Sequence, residues 1–300
     1  IIKNIYEKGN HKLNTFTVKN QNSKYDESFW ANQVVNKYNT QHIEEEISSS
    51  ITLDTIEEAL NSFDEPYCDP SSIPSFIISK NISNYFKVAI SGDGGDELLG
   101  GYVRTRNLLH SKKFNTNFIN TIFNIYPARF GTGQNILSRT KNLQMATSSY
   151  FEDRKLMNLL GFKLGKDYSY IETNHDEYKN LLLTEYKLYL PEMMMLKIDR
   201  TSMANSLEVR SPFVDHKLIE YVLSLSSDDF ISNQPKYLLK NYLSEDFSSN
   251  FLNRDKKGFV FDIENWVYIN KDIIRTTINE GKIVNNLNKN IVNLLLKVKS

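Results

Sequence analysis

YFKVAISGDGGDELLGGY, residues 85–102, decides how this chain is read. Phe86, Val88 and Ile90 are spaced as the apolar positions of a short buried strand, which runs into a glycine-rich turn and then a new helix. Glycine lacks a Cβ, so Gly92, Gly94 and Gly95 can take positive φ and bring the backbone close to a bound group. A phosphate cradle normally surrounds the anion with backbone N–H groups and a lysine. This loop offers carboxylates. Asp93, Asp96 and Glu97 repel bare phosphate, so the loop works as a phosphate site only if a hard cation such as Mg2+ lies between. Its position agrees, because ligands of open α/β sheets bind beyond the carboxyl ends of the strands. The plainer alternative is a solvated glycine turn. A calcium-binding loop is excluded, since it needs Asp or Asn two and four residues after Asp93, where Gly95 and Glu97 stand.

Composition narrows the function classes. The chain has 300 residues, enough for one large domain or two smaller ones, and 36 basic residues balance 36 acidic ones. That balance leaves no basic footprint for nucleic acid or an anionic membrane, so small molecules are the expected partners. A single cysteine, Cys68, excludes an internal disulfide and a thiol cluster for zinc, and the five histidines are scattered. A reducing, cytoplasmic setting follows. No apolar run reaches the roughly 18 residues of a membrane span. The opening IIKNIYEKGNHK lacks a signal-peptide core and begins inside a helical pattern without a cap, which reads as a truncated start.

Working outward, Leu13–Val18 reads as a strand, residues 27–38 as an amphipathic helix, His42–Ile47 as a strand near a sheet edge, and 53–63 as a second helix with Asp54 near its start. Strand and helix alternate, which implies parallel crossovers. Pro66, Pro70 and Pro74 bound a stiff loop before the helix that leads to the central strand. Past about residue 110 no further strand is expected. Helical spacing dominates 114–126, 181–196 and 216–225, with a glycine- and basic-rich loop over 127–142. Met193 to Met195 read as adaptable core, and Arg200 and Arg210, with acids close by, as ion pairs at helix ends.

Five ordered segments, quoted in turn, resemble the asparagine synthetase family in its ATP-pyrophosphatase (synthetase) domain. SGDGGDELLGGY resembles the family's SGxGxDExxGGY. IDRTSMANSLEVRSPFVDHKL resembles DRxSMAxSLEVRxPFLDHxL, with Ser211 and Val214 as departures. RDKKGFVFDIENW is similar to RxKxGFxxPxxxW, with Asp262 near the place of the proline. TFTVKNQNSKYDE resembles TFSIGFxxxxYDE, with Lys19 in place of glycine, and DEPYCDPSSIP resembles DEPFADSSAIP, the loop that walls the acyl-substrate side.

The resemblance implies a Rossmann-like parallel sheet flanked by helices, like the adenine nucleotide alpha-hydrolases, over 1–110, followed by a mainly helical part over 111–300. It implies adenylation of the β-carboxyl of aspartate by ATP and transfer of ammonia from glutamine, giving asparagine, AMP and pyrophosphate. ATP and Mg2+ are the implied cofactors, with an N-terminal glutaminase domain in the full-length protein and a homodimer as candidate assembly. Asp96 is the implied Mg2+ ligand. Ser91, Gly92 and Val18 are implied to contact nucleotide, Val18 against the adenine. Asp93 stands where the family places an acid active in adenylate formation and ammonia deprotonation, and Lys256 where a lysine meets the phosphates. Cys68 is internal, so it is not the terminal nucleophile of a glutaminase. The family's SGGxDSS loop belongs just before Ile1, so the chain as given is expected to be inactive alone. Two alternatives stay open. One is the same chemistry on another carboxylate, such as a sugar acid of a surface polysaccharide, and the other is a non-catalytic nucleotide-binding remnant.

Overall fold

The computed structural model describes residues 13–20, 26–47, 51–65, 67, 69–106, 176–227, 234–254 and 263–280. In chain order these begin with β1 (Asn14–Asn20), α1 (Ser28–Tyr38), β2 (Gln41–Ile47), α2 (Leu53–Asn61), α3 (Ser72–Ser83), β3 (Val88–Ile90) and the single turn α4 (Gly95–Leu98). They continue with α5 (Glu177–Thr184), a π-helix (Glu185–Met195), α6 (Leu196–Met203), β4 (Glu208–Arg210) and α7 (His216–Ser224), then short helices to Glu280. Two compact units interleave along the chain. One comprises Ile1–Asp93, Met193–Pro212 and Tyr237–Phe261, the other Gly94–Glu192, Phe213–Lys236 and Asp262–Ser300.

In the first unit the threonine and aromatic residues of β1 suit a pleated, half-buried surface. β1 pairs with β2 in parallel, from Asn14 opposite Gln41 to Asn20 opposite Ile47. α1 stops at Asn39, whose φ of 47° is left-handed, a geometry asparagine tolerates better than most residues. The chain then turns directly into β2, and the Thr15 hydroxyl ties the two strand starts, 2.8 Å from the Thr40 hydroxyl and 3.0 Å from His42 Nδ1. Thr52 caps α2 by accepting from the Thr55 N–H at 3.2 Å.

α3 follows the proline-bounded loop and packs against α2 and α6. Its buried face carries Ser72, Ser75 and Ser79 beside Ile73 and Phe76, and α6 answers with buried Thr201 and Ser202. Small side chains let the helix backbones approach. Their hydroxyls stay satisfied, because Ser75 donates to the Ser71 carbonyl at 2.8 Å and Thr201 to the Lys197 carbonyl at 2.7 Å.

β3 pairs in parallel with β4, Val88 opposite Glu208 and Ile90 opposite Arg210. Two expectations are corrected here. A strand does occur past residue 110, and three residues are too short to reveal alternation in the sequence. β3 is also not the buried strand expected, for Val88 is 45% and Ile90 57% exposed. Alternate residues point to opposite faces, so these two share an exposed face of the strand. Among the described residues the strands form two parallel pairs, β1–β2 and β3–β4.

The described elements of the second unit are helices, and among its described residues Leu98, Leu99, Tyr178, Leu181, Leu182, Leu183, Leu190 and Val222 are buried and apolar. Asp176 caps α5 through the Lys179 N–H at 3.0 Å, and Asp215 caps α7 through the Lys217 N–H at 3.0 Å. Pro191 interrupts the long helix expected over 181–196, because it has no N–H for the carbonyl of Lys187, and the stretch around it is wound as a π-helix. No helix among the described residues is long and apolar enough to cross a membrane.

Leu207 joins α6 to β4 and is 1% exposed. Leu207→Ala should therefore destabilise the protein by about 2–5 kcal/mol, read as a lower urea midpoint at unchanged slope. A loss under about 1 kcal/mol would show that this junction is not part of a packed core.

Candidate functional site

The carboxyl ends of β3 and β4 lie side by side. Ser91 N–H donates to the Arg210 carbonyl at 2.9 Å, and the Ser91 and Ser211 hydroxyls meet at 2.8 Å. Beyond them Gly92 is exposed, and a Cβ built there would meet nothing within 4 Å. Asp93, next in the chain, is half-buried. The backbone that follows the strand is thus open to a ligand. Val18 lies in the other sheet of the same unit, on β1 opposite Glu45.

Both arginines form ion pairs, though not the helix-end pairs expected of them, since Arg210 lies on the strand β4. Arg210 Nε contacts Glu208 Oε1 at 2.8 Å, and Arg200 reaches Asp64 at 2.7 Å rather than an acid nearby in sequence. Both pairs are exposed and contribute little to stability. Residues 193, 197 and 200 lie on one helical face and bind the proline-bounded loop. The Tyr67 hydroxyl donates to the Met193 carbonyl, the buried Lys197 ammonium donates to Ser71 Oγ at 2.8 Å with Asp69 at 3.6 Å, and Arg200 holds Asp64.

In the second unit the loop acids separate by environment. Of the three loop glycines, Gly94 has positive φ, 84°, and a Cβ there would lie 2.8 Å from Val214 Cγ1, so only glycine fits. Glu97 is 2% exposed and accepts from the Tyr102 hydroxyl at 2.6 Å. Burial pushes its pKa above the usual carboxylate range, with the Tyr102 hydrogen bond working the other way. Glu97 is therefore an internal acid and not one of the loop's outward charges, a correction to the reading from sequence. Burial likewise raises the Tyr102 hydroxyl, reinforced by Glu97.

Tyr102 also covers Arg104, whose guanidinium lies 3.8 Å from the Tyr102 ring centre and 4.5 Å from that of Tyr189. Arg104 forks onto the buried Glu185, Nε to Oε1 at 3.0 Å and Nη2 to Oε2 at 2.7 Å, and Thr105 adds a bond to Oε1 at 3.0 Å. This network bonds the segment after the acidic loop to the π-helix. Reading the sequence missed it. The available signal was Glu185, four residues after the buried Leu181 and so on the apolar face of a predicted helix.

Asp96 has a cationic neighbour, Lys236 Nζ, 2.9 Å from its Oδ1. Lys236 was also missed, since a lone lysine in a polar run carries no signal. A hard oxygen donor already facing a positive group is compatible with a divalent cation, the ammonium standing in for it. Among the described residues no group of three or more His, Cys, Asp or Glu is poised around one metal. Lys256, Cys68 and the loop over 127–142 lie outside the described residues.

Comparison with known proteins gives a consistent picture. The family profile described as asparagine synthase matches residues 2–298. The chain is 26% identical over 275 residues to the glutamine-hydrolysing asparagine synthetase 1 of Bacillus subtilis, covering 85% of this chain and 43% of that protein. It is 25% identical over 279 residues to a putative glutamine-hydrolysing asparagine synthetase of Mycobacterium bovis, covering 86% and 42%. A shorter match to a putative asparagine synthetase of Methanocaldococcus jannaschii is 34% identical over 96 residues, covering 32% of this chain and 18% of that protein. The chain spans less than half the length of the relatives it matches.

The raised pKa of Glu97 gives a pH test. Between the unfolded value near 4.5 and the higher folded value, the folded chain holds a proton that the unfolded chain has lost. Its stabilising contribution is thus complete below the unfolded value and lost as pH rises through the folded one. Urea stability of the wild type should fall through that window relative to Glu97→Gln. Parallel profiles for the two proteins would contradict the assignment.

Proposed function

We propose, for a chain that belongs to the asparagine synthase family, the role of synthetase part in an ATP-dependent amide ligase. The acceptor is the β-carboxyl of aspartate, which attacks the α-phosphorus of ATP and expels pyrophosphate. Ammonia, released from glutamine by a glutaminase domain of the whole protein, then displaces AMP to leave asparagine. The observation that carries the reading is the family match over residues 2–298, with the acidic loop after β3 inside it. The names of the relatives, glutamine-hydrolysing asparagine synthetases, support aspartate and glutamine as substrates.

Roles follow from chemistry. Ser91 and Gly92 bind the nucleotide, supported by the open backbone at Gly92 and its place at the ends of parallel strands. Val18 lies against the adenine. Asp96 would hold Mg2+, an ion that would supply positive charge against the phosphates. Asp93 serves adenylate formation and takes the ammonia proton, for which it must lie within hydrogen-bond reach. Lys256 stabilises charge on the leaving pyrophosphate. The loop tied down by Met193, Lys197 and Arg200 forms a stiff wall beside the acyl substrate. A Rossmann-like nucleotide-binding part over 1–110 belongs to the same reading, supported by the two parallel strand pairs. So does a cytoplasmic setting.

In the whole protein, aspartate should stimulate ATP–pyrophosphate exchange, and the nucleotide product should be AMP. Asp96→Ala should lower exchange by about 100-fold or more. ADP with phosphate would overturn the adenylate mechanism. Stimulation by a sugar acid and not by aspartate would keep the ligase and replace the acceptor.

A further inference from the structure

Asp96 reaches Lys236 through a contact that the surrounding backbone is shaped to hold. The ammonium lies 2.9 Å from Asp96 Oδ1, with the two side chains 32% and 22% exposed for Lys236 and Asp96. Lys236 adopts φ 56°, a left-handed conformation that a non-glycine residue keeps only where its surroundings impose it. Gly101 lies against the pair. A Cβ there would collide with Asp96 Oδ1 and sit 2.6 Å from Lys236 Cε, so a glycine here leaves both side chains where they are. The Gly101 N–H also donates to the Asp96 carbonyl at 2.8 Å, which fixes the main chain carrying the acid.

We propose that Lys236 is a resident counter-ion of Asp96 that a divalent cation must displace, so that it positions the carboxylate beforehand and sets its affinity for the cation. This rests on the reading of Asp96 as a metal ligand. An ion bound to Oδ1 at the roughly 2.0–2.1 Å typical of Mg2+ would sit against an ammonium 2.9 Å from the same oxygen, and the two repel. The half-exposed lysine has a flexible four-carbon stem on which to withdraw.

The test is an electron paramagnetic resonance titration of the whole protein with Mn2+ alone, without nucleotide. Lys236→Met should bind Mn2+ on the order of tenfold more tightly than wild type, and Lys236→Arg, which keeps the charge, should match wild type. Lys236→Gln repeats the neutral substitution with a polar side chain, and thermal unfolding checks each variant. Asp96→Asn should weaken binding in the wild type and remove the gain in Lys236→Met. A readout that needs no variant is acylation of Lys236 by acetic anhydride, followed by mass spectrometry, which should rise as Mn2+ is added. Unchanged or weaker Mn2+ binding in the neutral variants, or constant acylation, overturns the proposal while an Asp96 dependence keeps the metal reading. Mn2+ binding that ignores Asp96, or no binding at all, removes both.

Discussion

A carboxylate withdrawn from water needs a donor or a counter-charge, and the segment after β3 meets that demand separately for each of its acids. Glu97 is fully enclosed and takes a hydroxyl, from Tyr102. Asp96 keeps some exposure and takes an ammonium, from Lys236. The Glu185 carboxylate, brought in from the π-helix, takes the guanidinium of Arg104 in a forked pair with Thr105 beside it. Removing one member of the buried Arg104–Glu185 pair would leave a bare charge inside the protein, which is far more costly than the pair is stabilising. The consequence is a loop whose following residues have little freedom. The two acids that retain access to water, Asp93 and Asp96, are those to which the proposed chemistry gives a task.

In the first unit the site depends on how two strands end. Parallel pairing puts Ser91 and Ser211 next to each other and leaves the backbone at Gly92 uncovered. Arg210, at the end of β4, is engaged by Glu208 on its own strand. A binding surface of small hydroxyls and open backbone suits a ligand that brings its own charge and its own cation. The proline-bounded loop is held differently, by the Met193 carbonyl and the Lys197 and Arg200 side chains.

Much of this was legible in the residues. β1, α1, β2, α2, α3 and α7 follow hydrophobic spacing, capping residues and proline positions, and they occur within a few residues of where those signals place them. β3 was legible as a strand but not as an exposed one, because alternation tells which residues share a face and not whether anything covers it. β4 was hidden by its length. The burial of Glu97 was hidden because a glutamate in an acidic loop looks the same whether it faces water or a tyrosine five residues on. Long-range pairs such as Lys236 with Asp96 leave no local trace at all, since neither residue's neighbours in sequence announce the partner.

The account stands or falls on the Asp96 carboxylate as the point where nucleotide-borne cation meets protein. The most direct measurement is a crystal structure of the whole protein with Mn2+ and a non-hydrolysable ATP analogue, with the ion located by its anomalous scattering. The account predicts the ion on Asp96, shared with a phosphate oxygen, and Lys236 withdrawn from Oδ1. An ion bound elsewhere, with the Asp96–Lys236 pair intact beside the bound nucleotide, would contradict it.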